Sequence, residues 1–329
     1  MTSDQLGDES GDGAGGELAG YATGYHSPVL CKAVVDGLIT NPDGTYADAT
    51  LGGGGHAAAL LDALSEKALV VGMDRDERAR AEVQRRLARE IESGRLVVLA
   101  GSFGHLISLL ASIEITELDG VLLDLGVSSH QLDDPKRGFS YSSSGELDMR
   151  MDRSSGTTAA DIVNHASARD LERVLRDFGE EGRARRIVAA IVSARPVLDT
   201  GQLANIVRFS VPRTEEVKSL SRVFQALRIA VNRELDELES ALKSATHLVR
   251  RGGRMAAISY HSLEDRRVKR FLRYGNFAGQ PVKDVYGNIQ APWSPITPKP
   301  ITPGAAEIEA NPRSRSARLR IGERTEVSV

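Results

Sequence analysis

Three aspartates in the first half of the chain each close a short apolar run. Asp48 ends Tyr46-Ala47, Asp74 ends Ala68-Leu-Val-Val-Gly-Met73, and Asp124 ends Val121-Leu-Leu123. Between the first two stand four consecutive glycines, Gly52 to Gly55, then His56 and the helix-competent run Ala57-Ala-Ala-Leu-Leu61. Glycine carries no Cβ, so a ligand can press against bare backbone at such a turn. An acid about 20 residues beyond a glycine turn is placed to meet ribose hydroxyls in a βαβ unit. The chemistry these residues suit is recognition of an adenosine-bearing cofactor at the carboxyl ends of parallel strands.

Gly53 to Ala58 also fits G-x-G-x-x-A, so a dinucleotide, and with it a nicotinamide-dependent oxidoreductase, is a rival reading. Charge separates the two. Asp48, Asp74 and Asp124 fall at one rim, and three carboxylates there repel a diphosphate and attract a cation. S-adenosylmethionine, with its sulfonium and ammonium groups, fits that field.

The elements that must position these residues alternate. Strands end at Asp48, Asp74, Ala100 and Asp124, and helical patterns lie between them, including one amphipathic helix from Asp76 to about Glu92. Phe103, just beyond the third strand, sits where an adenine ring can lie against it. This rhythm predicts an α/β fold with a parallel, doubly wound sheet. It breaks after Asp124, where Gly126 to Ser140 is a long polar loop, and Thr158 to about Val211 is helical. Residues 133–217 are therefore expected to form an inserted helical domain. Residues 22–132 and 218–329 are the two parts of the sheet domain, and 1–21 is a disordered acidic leader. One long helix is expected from Ser221 to Arg250, stopped by Gly252-Gly253, then a fifth strand to Tyr260. His261 follows, and Ser262 with Asp265 is placed as a capping box. His26, near the start of the first helix, can reach a ligand.

Composition bounds the answer. Hydrophobic residues make up 41% and charged residues 26% of 329 residues, the balance of an ordinary globular protein. The single cysteine, Cys31, excludes an internal disulfide and a cysteine-based metal site, and no metal is expected. No apolar run approaches membrane-spanning length, and the leader is not a signal peptide, so a cytoplasmic protein is expected. Net charge is -3, but five acids and no Lys or Arg fall in residues 1–20. Basic clusters at Arg183/Arg185/Arg186, at Arg266/Arg267/Lys269/Arg270/Arg273 and at Arg313/Arg315/Arg318/Arg320 suit RNA phosphates.

Several longer motifs are more specific than the glycine turn. His26-Ser-Pro-Val-Leu30, Asp48 to His56, Leu122-Leu-Asp-Leu-Gly-Val-Ser-Ser129 and Arg137-Gly-Phe-Ser140 resemble the MraW/RsmH family. Leu147 to Asp152, Phe178 to Glu181, Phe224 to Ile229, His261 to Arg266 and Asn311 to Ser316 do so too, in order to the C-terminus. The resemblance implies a class I (Rossmann-like) S-adenosylmethionine-dependent methyltransferase with a helical insertion. It implies methylation of the exocyclic N4 amine of a cytidine in the decoding region of small-subunit (16S) ribosomal RNA. By motif matching, Gly54, Gly55, His56, Asp74, Phe103, Asp124 and Gln131 are the cofactor contacts. The chain departs from the family at His130, where proline is commoner, at Tyr260, usually phenylalanine, and at Ser219-Leu-Ser221.

A cytosine amine is a poor nucleophile, because its lone pair is delocalised into the ring. An acceptor for one of its hydrogens would help, and Asp124 is the first candidate, His261 the second. The Pro-Pro-aromatic sequence that follows the acid in many amine methyltransferases is absent here, where Leu125-Gly126-Val127 stands. A non-catalytic ribosome-assembly factor that binds RNA is a further alternative. The protein is expected to be a monomer or weak dimer.

Overall fold

Residues 28–327 are described by a computed structural model, so the acidic leader and His26 lie outside the described residues. Seven strands form one sheet in the order β3-β2-β1-β4-β5-β7-β6. β1 (Thr45–Asp48), β2 (Leu69–Asp74), β3 (Leu96–Ala100), β4 (Leu118–Asp124) and β5 (Val249–Ser259) run parallel. β6 (Trp293–Pro295) and β7 (Arg318–Arg324) add antiparallel strands at one edge.

The central strands are apolar on both faces because helices cover both. Alternate residues divide between two cores, as the two-residue repeat of a strand requires. Ala47, Val71, Val121, Leu123, Met255 and Ala257 face one core, and Tyr46, Val70, Leu122, Ala256 and Ile258 face the other. The second face is covered by α1 (Cys31–Leu38), α2 (Gly55–Ala63), α3 (Glu77–Arg86) and α4 (Ala88–Glu92). The first is covered by α5 (Leu106–Ala111), with α12 (Glu234–Leu248) and α13 (Ser262–Tyr274) from later in the chain. β1 pairs with β2 on one side and β4 on the other, which makes its carboxyl end the switch point where open α/β sheets hold ligands.

After β4 come α6 (Ser129–Asp133) and then α7 (Ala159–His165), α8 (Ala168–Asp177), α9 (Ala184–Ala194) and α10 (Thr200–Ser210). Thr158 opens α7 with a capping box to Asp161, and Ser167 caps α8. These helices enclose a third core with Leu171, Leu175, Ile187, Ile191 and Leu203, joined by Met149 and Phe139 of the long loop. α11 (Glu216–Asn232) contributes Val223, Phe224 and Leu227 to the same core. The last helix, α14 (Ala305–Ala310), precedes β7.

Three local expectations are corrected. The long helix from Ser221 is two helices, broken at Arg233 in the left-handed region at φ 51°. Tertiary contacts override helix propensity there. The Asn232 amide accepts from Met151 N and donates to Met149 O, both at 2.8 Å, so the end of α11 is tied to the long loop. Nor do Gly252-Gly253 stop that helix. It ends at Leu248, and both glycines lie inside β5, beside an irregularity in its pairing with β4. The helix from Asp76 is likewise divided, at Leu87.

Candidate active site

A cleft of about 690 Å³ opens at the carboxyl ends of β1, β2 and β4, lined among others by Gly52, Asp74, Phe103, Asp124, Gln131 and Tyr260. Asp74, at the end of β2, accepts Gly52 N–H on Oδ2 and Asp76 N–H on Oδ1, each at 2.8 Å. Those bonds hold its carboxylate at the cleft wall, and burial pushes its pKa up. Gly52 and Gly54 have φ of 49° and 76°, which favour glycine.

Gly54, Gly55, His56 and His261 do not line this cleft. A Cβ on Gly54 would stand 2.9 Å from Val83 of α3, and one on Gly55 3.0 Å from Pro28. These two glycines let Pro28, ahead of α1, and α3 close against the turn. His56 is buried behind it, with Nε2 donating to the Val29 carbonyl at 3.0 Å and Nδ1 3.6 Å from Asp124 Oδ2. Burial pushes its pKa down, against the pull of Asp48.

Asp124 is fixed from several directions. Its backbone N–H donates to Thr50 Oγ1 at 2.6 Å, and the Tyr260 hydroxyl donates to its Oδ1 at 2.9 Å. Burial, then the charge of Asp124, hold the Tyr260 pKa far above its ordinary value, so it stays a donor. Asp48 does not line the cleft: it is 1% exposed, its Oδ2 has no hydrogen-bond partner among the described residues, and it acts on a ligand there through its charge rather than by contact. Burial raises its pKa to about 6, opposed by His56 and reinforced by Asp124 and Asp74. An orphaned buried carboxylate oxygen beside two more carboxylates is what a cationic ligand relieves and a diphosphate aggravates. The residues present therefore fit a sulfonium-bearing cofactor.

Gln131 does line the cleft, yet its amide is engaged. Nε2 donates to Asp76 Oδ2 at 3.0 Å, and Oε1 accepts Ser128 N–H at 3.1 Å. Arg137, buried, donates to the same Asp76 oxygen at 2.9 Å and to the Met151 carbonyl at 2.9 Å. Burial pushes the Asp76 carboxyl up, but the bonds from Gln131 and Arg137 outweigh it and hold the pKa low. Sequence reasoning missed this brace between β2 and the long loop, and also the Tyr260 hydroxyl. Arg137 was visible only as part of a motif, and nothing in its spacing pairs it with an acid 61 residues away.

His261 follows β5, as its position suggested, and lines a neighbouring cleft that also contains Tyr260. It is the N-cap of α13, in a capping box with Glu264, so the expected Ser262–Asp265 box is corrected. Its Nδ1 accepts Glu264 N–H at 3.4 Å and its Nε2 lies 3.2 Å from Glu264 Oε1, which turns both ring nitrogens to one residue. Ser262 instead donates to Glu180 at 2.6 Å. Glu234, His261 and Glu264 are close enough to share an ion, but Arg228 already grips both oxygens of Glu234 at 2.9 Å.

Most of the expected phosphate-binding arginines are paired within the protein. Arg183 bonds Glu215, Arg266 bonds Glu180, Arg267 bonds Glu239 and Arg313 bonds Asp133. Arg320 is buried against Asp265 and cannot meet a phosphate, which corrects its place in that cluster. Arg185, Arg186 and Arg315 are exposed.

Sheet, switch point and carboxylate-lined cleft define a class I methyltransferase whose cofactor is S-adenosylmethionine. The chain belongs to the MraW methylase family, whose sequence model matches residues 23–325. It is similar to the ribosomal RNA small subunit methyltransferase H of Bacteroides thetaiotaomicron, 43% identical over 91% of this chain and 97% of that one. The protein of the same name from Chlorobium luteolum is 46% identical over 92% and 97%, and that from Trichlorobacter lovleyi 44% over 91% and 98%. The nicotinamide and non-catalytic readings find no support in these relatives. No helix among the described residues is long and apolar enough to cross a membrane.

Proposed function

We propose that the protein methylates the exocyclic N4 amine of a cytidine in the decoding region of small-subunit (16S) ribosomal RNA, in the cytoplasm, as a monomer or weak dimer. The observation that carries this reading is the Asp124–Tyr260 pair beside the orphaned Asp48 carboxylate, at the switch point of a family whose relatives are named for ribosomal RNA methylation. When bound, S-adenosylmethionine supplies an electrophilic methyl group on a positively charged sulfur. Asp74 would hold the ribose hydroxyls on lone pairs not used by Gly52 and Asp76, and Phe103 would offer its ring to the adenine. Gly52 forms the near wall, while Gly54, Gly55 and His56 keep the turn and Asp124 in place. Gln131 closes the loop side of the cleft.

Asp124 accepts one hydrogen of the incoming amine. It takes the proton as the nitrogen–carbon bond forms and the carbon–sulfur bond breaks to leave a neutral thioether, so the carboxylate does the work of a general base. Tyr260 holds that carboxylate in a single orientation, and His261 fixes the strand end that carries Tyr260. Positioning and exclusion of water supply the rest of the acceleration. The target base leaves its stack to enter the site. Residues 133–217 act as an RNA-recognition unit inserted between 22–132 and 218–329, the two parts of the methyltransferase domain.

The test is to incubate the protein with methyl-labelled S-adenosylmethionine and undermethylated small subunits, then digest the RNA to nucleosides. Label in N4-methylcytidine supports the proposal. Label confined to another nucleoside, or none, overturns it.

A further inference from the structure

A second cleft, of about 1480 Å³, shares Gly126, Val127 and Tyr260 with the cofactor cleft. Its far wall is built from α11, through Ser221 and Gln225, and from the segment between α14 and β7, through Asn311, Arg313 and Arg315. No carboxylate among the described residues lines it, although three arginines do. Two of those are already bound, Arg228 to Glu234 and Arg313 to Asp133. Arg315 is exposed and has no ion-pair partner among the described residues.

A third and larger cleft, of about 1640 Å³, also adjoins the cofactor cleft and is richer in arginine. It meets the first one at Arg75, Gly101, Ser102 and Met151. Position in the sheet decides between them. Asp74 and Phe103, beyond β2 and β3, mark the adenosine end of the cofactor, so its reactive end points toward β1 and β4. The third cleft opens on the adenosine side, beside β2 and β3, whereas the second opens between the ends of β4 and β5. The third also contains Asp76, Glu77, Asp152 and Glu237, which oppose a polyanion.

We propose that this second cleft is the subsite for the target nucleotide, with the base against Val127 and Tyr260 and its phosphate on Arg315. The proposal rests on the methyltransferase reading above. Ser221, Gln225 and Asn311 put neutral polar groups along the wall. Ser221 bonds the Val217 carbonyl, Gln225 Nε2 the Phe178 carbonyl and Asn311 Oδ1 the Arg313 N–H, and their remaining polar capacity suits the sugar and base edges. A guanidinium at the outer rim with no acid beside it fixes an RNA phosphate and leaves the inner end for the cytosine amine.

The experiment uses the full chain, S-adenosylmethionine and undermethylated small subunits, measuring kcat and KM for the subunit and cofactor affinity by calorimetry. Arg315→Glu should raise KM for the subunit by about tenfold or more, with kcat and cofactor affinity within about twofold. Arg315→Lys should recover most of the loss. Ser221→Trp, which narrows the opposite wall without touching charge, should also raise KM. An unchanged KM in both Arg315→Glu and Ser221→Trp overturns the assignment, as does a loss that tracks cofactor affinity. Wild-type protein that binds no S-adenosylmethionine would instead sink the methyltransferase reading itself, and this subsite with it.

Discussion

The Tyr260 hydroxyl donates to Asp124 Oδ1 across 2.9 Å, joining the residue that ends β4 to the residue that follows β5. Asp124 lines the cofactor cleft, and Tyr260 lines both that cleft and its neighbour. The hydrogen bond thus fixes a carboxylate at the boundary between the two clefts.

Tyr260→Phe removes that one oxygen and keeps the ring. A hydrogen bond to a charged group contributes about 1.5–3 kcal/mol, so kcat should fall by at least about tenfold. The carboxylate loses a donor that favours its charged form, so the acid limb of the kcat–pH profile should move to higher pH. Cofactor affinity should change by less than about threefold, because a purely orienting bond acts on the reacting step. An unshifted profile would show that the hydroxyl does not act on Asp124.

Asp48 carries a testable cost. Its pKa in the folded protein is about 6, above the ordinary carboxylate range, so the folded state holds a proton that the unfolded chain has released. Stability from this group is therefore present at low pH and lost as pH rises toward and through about 6. Asp48→Asn should match wild type near pH 4 and exceed it by about 1–3 kcal/mol at pH 7.5, measured by urea unfolding at both pH values. The same substitution should weaken S-adenosylmethionine binding above pH 6. A stability difference that stays flat with pH would contradict this account.

The arginines divide into those that hold the fold and those that face solvent. Arg320→Ala leaves Asp265 with one less partner in a buried pair, and should lower stability by about 3 kcal/mol or more in a thermal or urea melt. Arg185→Ala with Arg186→Ala should leave the melt within about 0.5 kcal/mol and reduce the salt slope of RNA binding by up to about 2. The reverse pattern would reassign the RNA-facing surface.

Neutralising Asp74 should weaken cofactor binding. Asp74→Asn keeps one acceptor but turns an amide N–H₂ toward the Gly52 or Asp76 N–H, each of which now meets a carboxylate oxygen at 2.8 Å. Losing a charge-assisted bond at a ribose site costs about 1.5–3 kcal/mol, so affinity should fall by at least about tenfold in calorimetry. Unaltered affinity would remove Asp74 from the cofactor site.

The sheet was legible because strands covered on both faces read as apolar runs, and three of those runs end at an aspartate. Asp48, Asp74 and Asp124 could be placed at one rim from chain order alone. What escaped sequence reasoning depends on partners far away in the chain. The break at Arg233 is set by Asn232 reaching back to Met149, and nothing local between Ser221 and Arg250 forbids one long helix. Two glycines that read as a helix stop sit inside β5, in the stretch where its register against β4 is interrupted. Arg320 looked like one more surface cation until its partner, 55 residues earlier, was in view.

The account stands on carboxylates that recognise a sulfonium. The most direct test is a calorimetric comparison of S-adenosylmethionine with its product S-adenosylhomocysteine, which keeps the ammonium and carboxylate but has a neutral sulfur, on wild type, Asp48→Asn and Asp124→Asn. Each substitution should weaken the sulfonium ligand by about tenfold more than the thioether. Equal losses for the two ligands would contradict the claim, because the carboxylates would then not be reading charge.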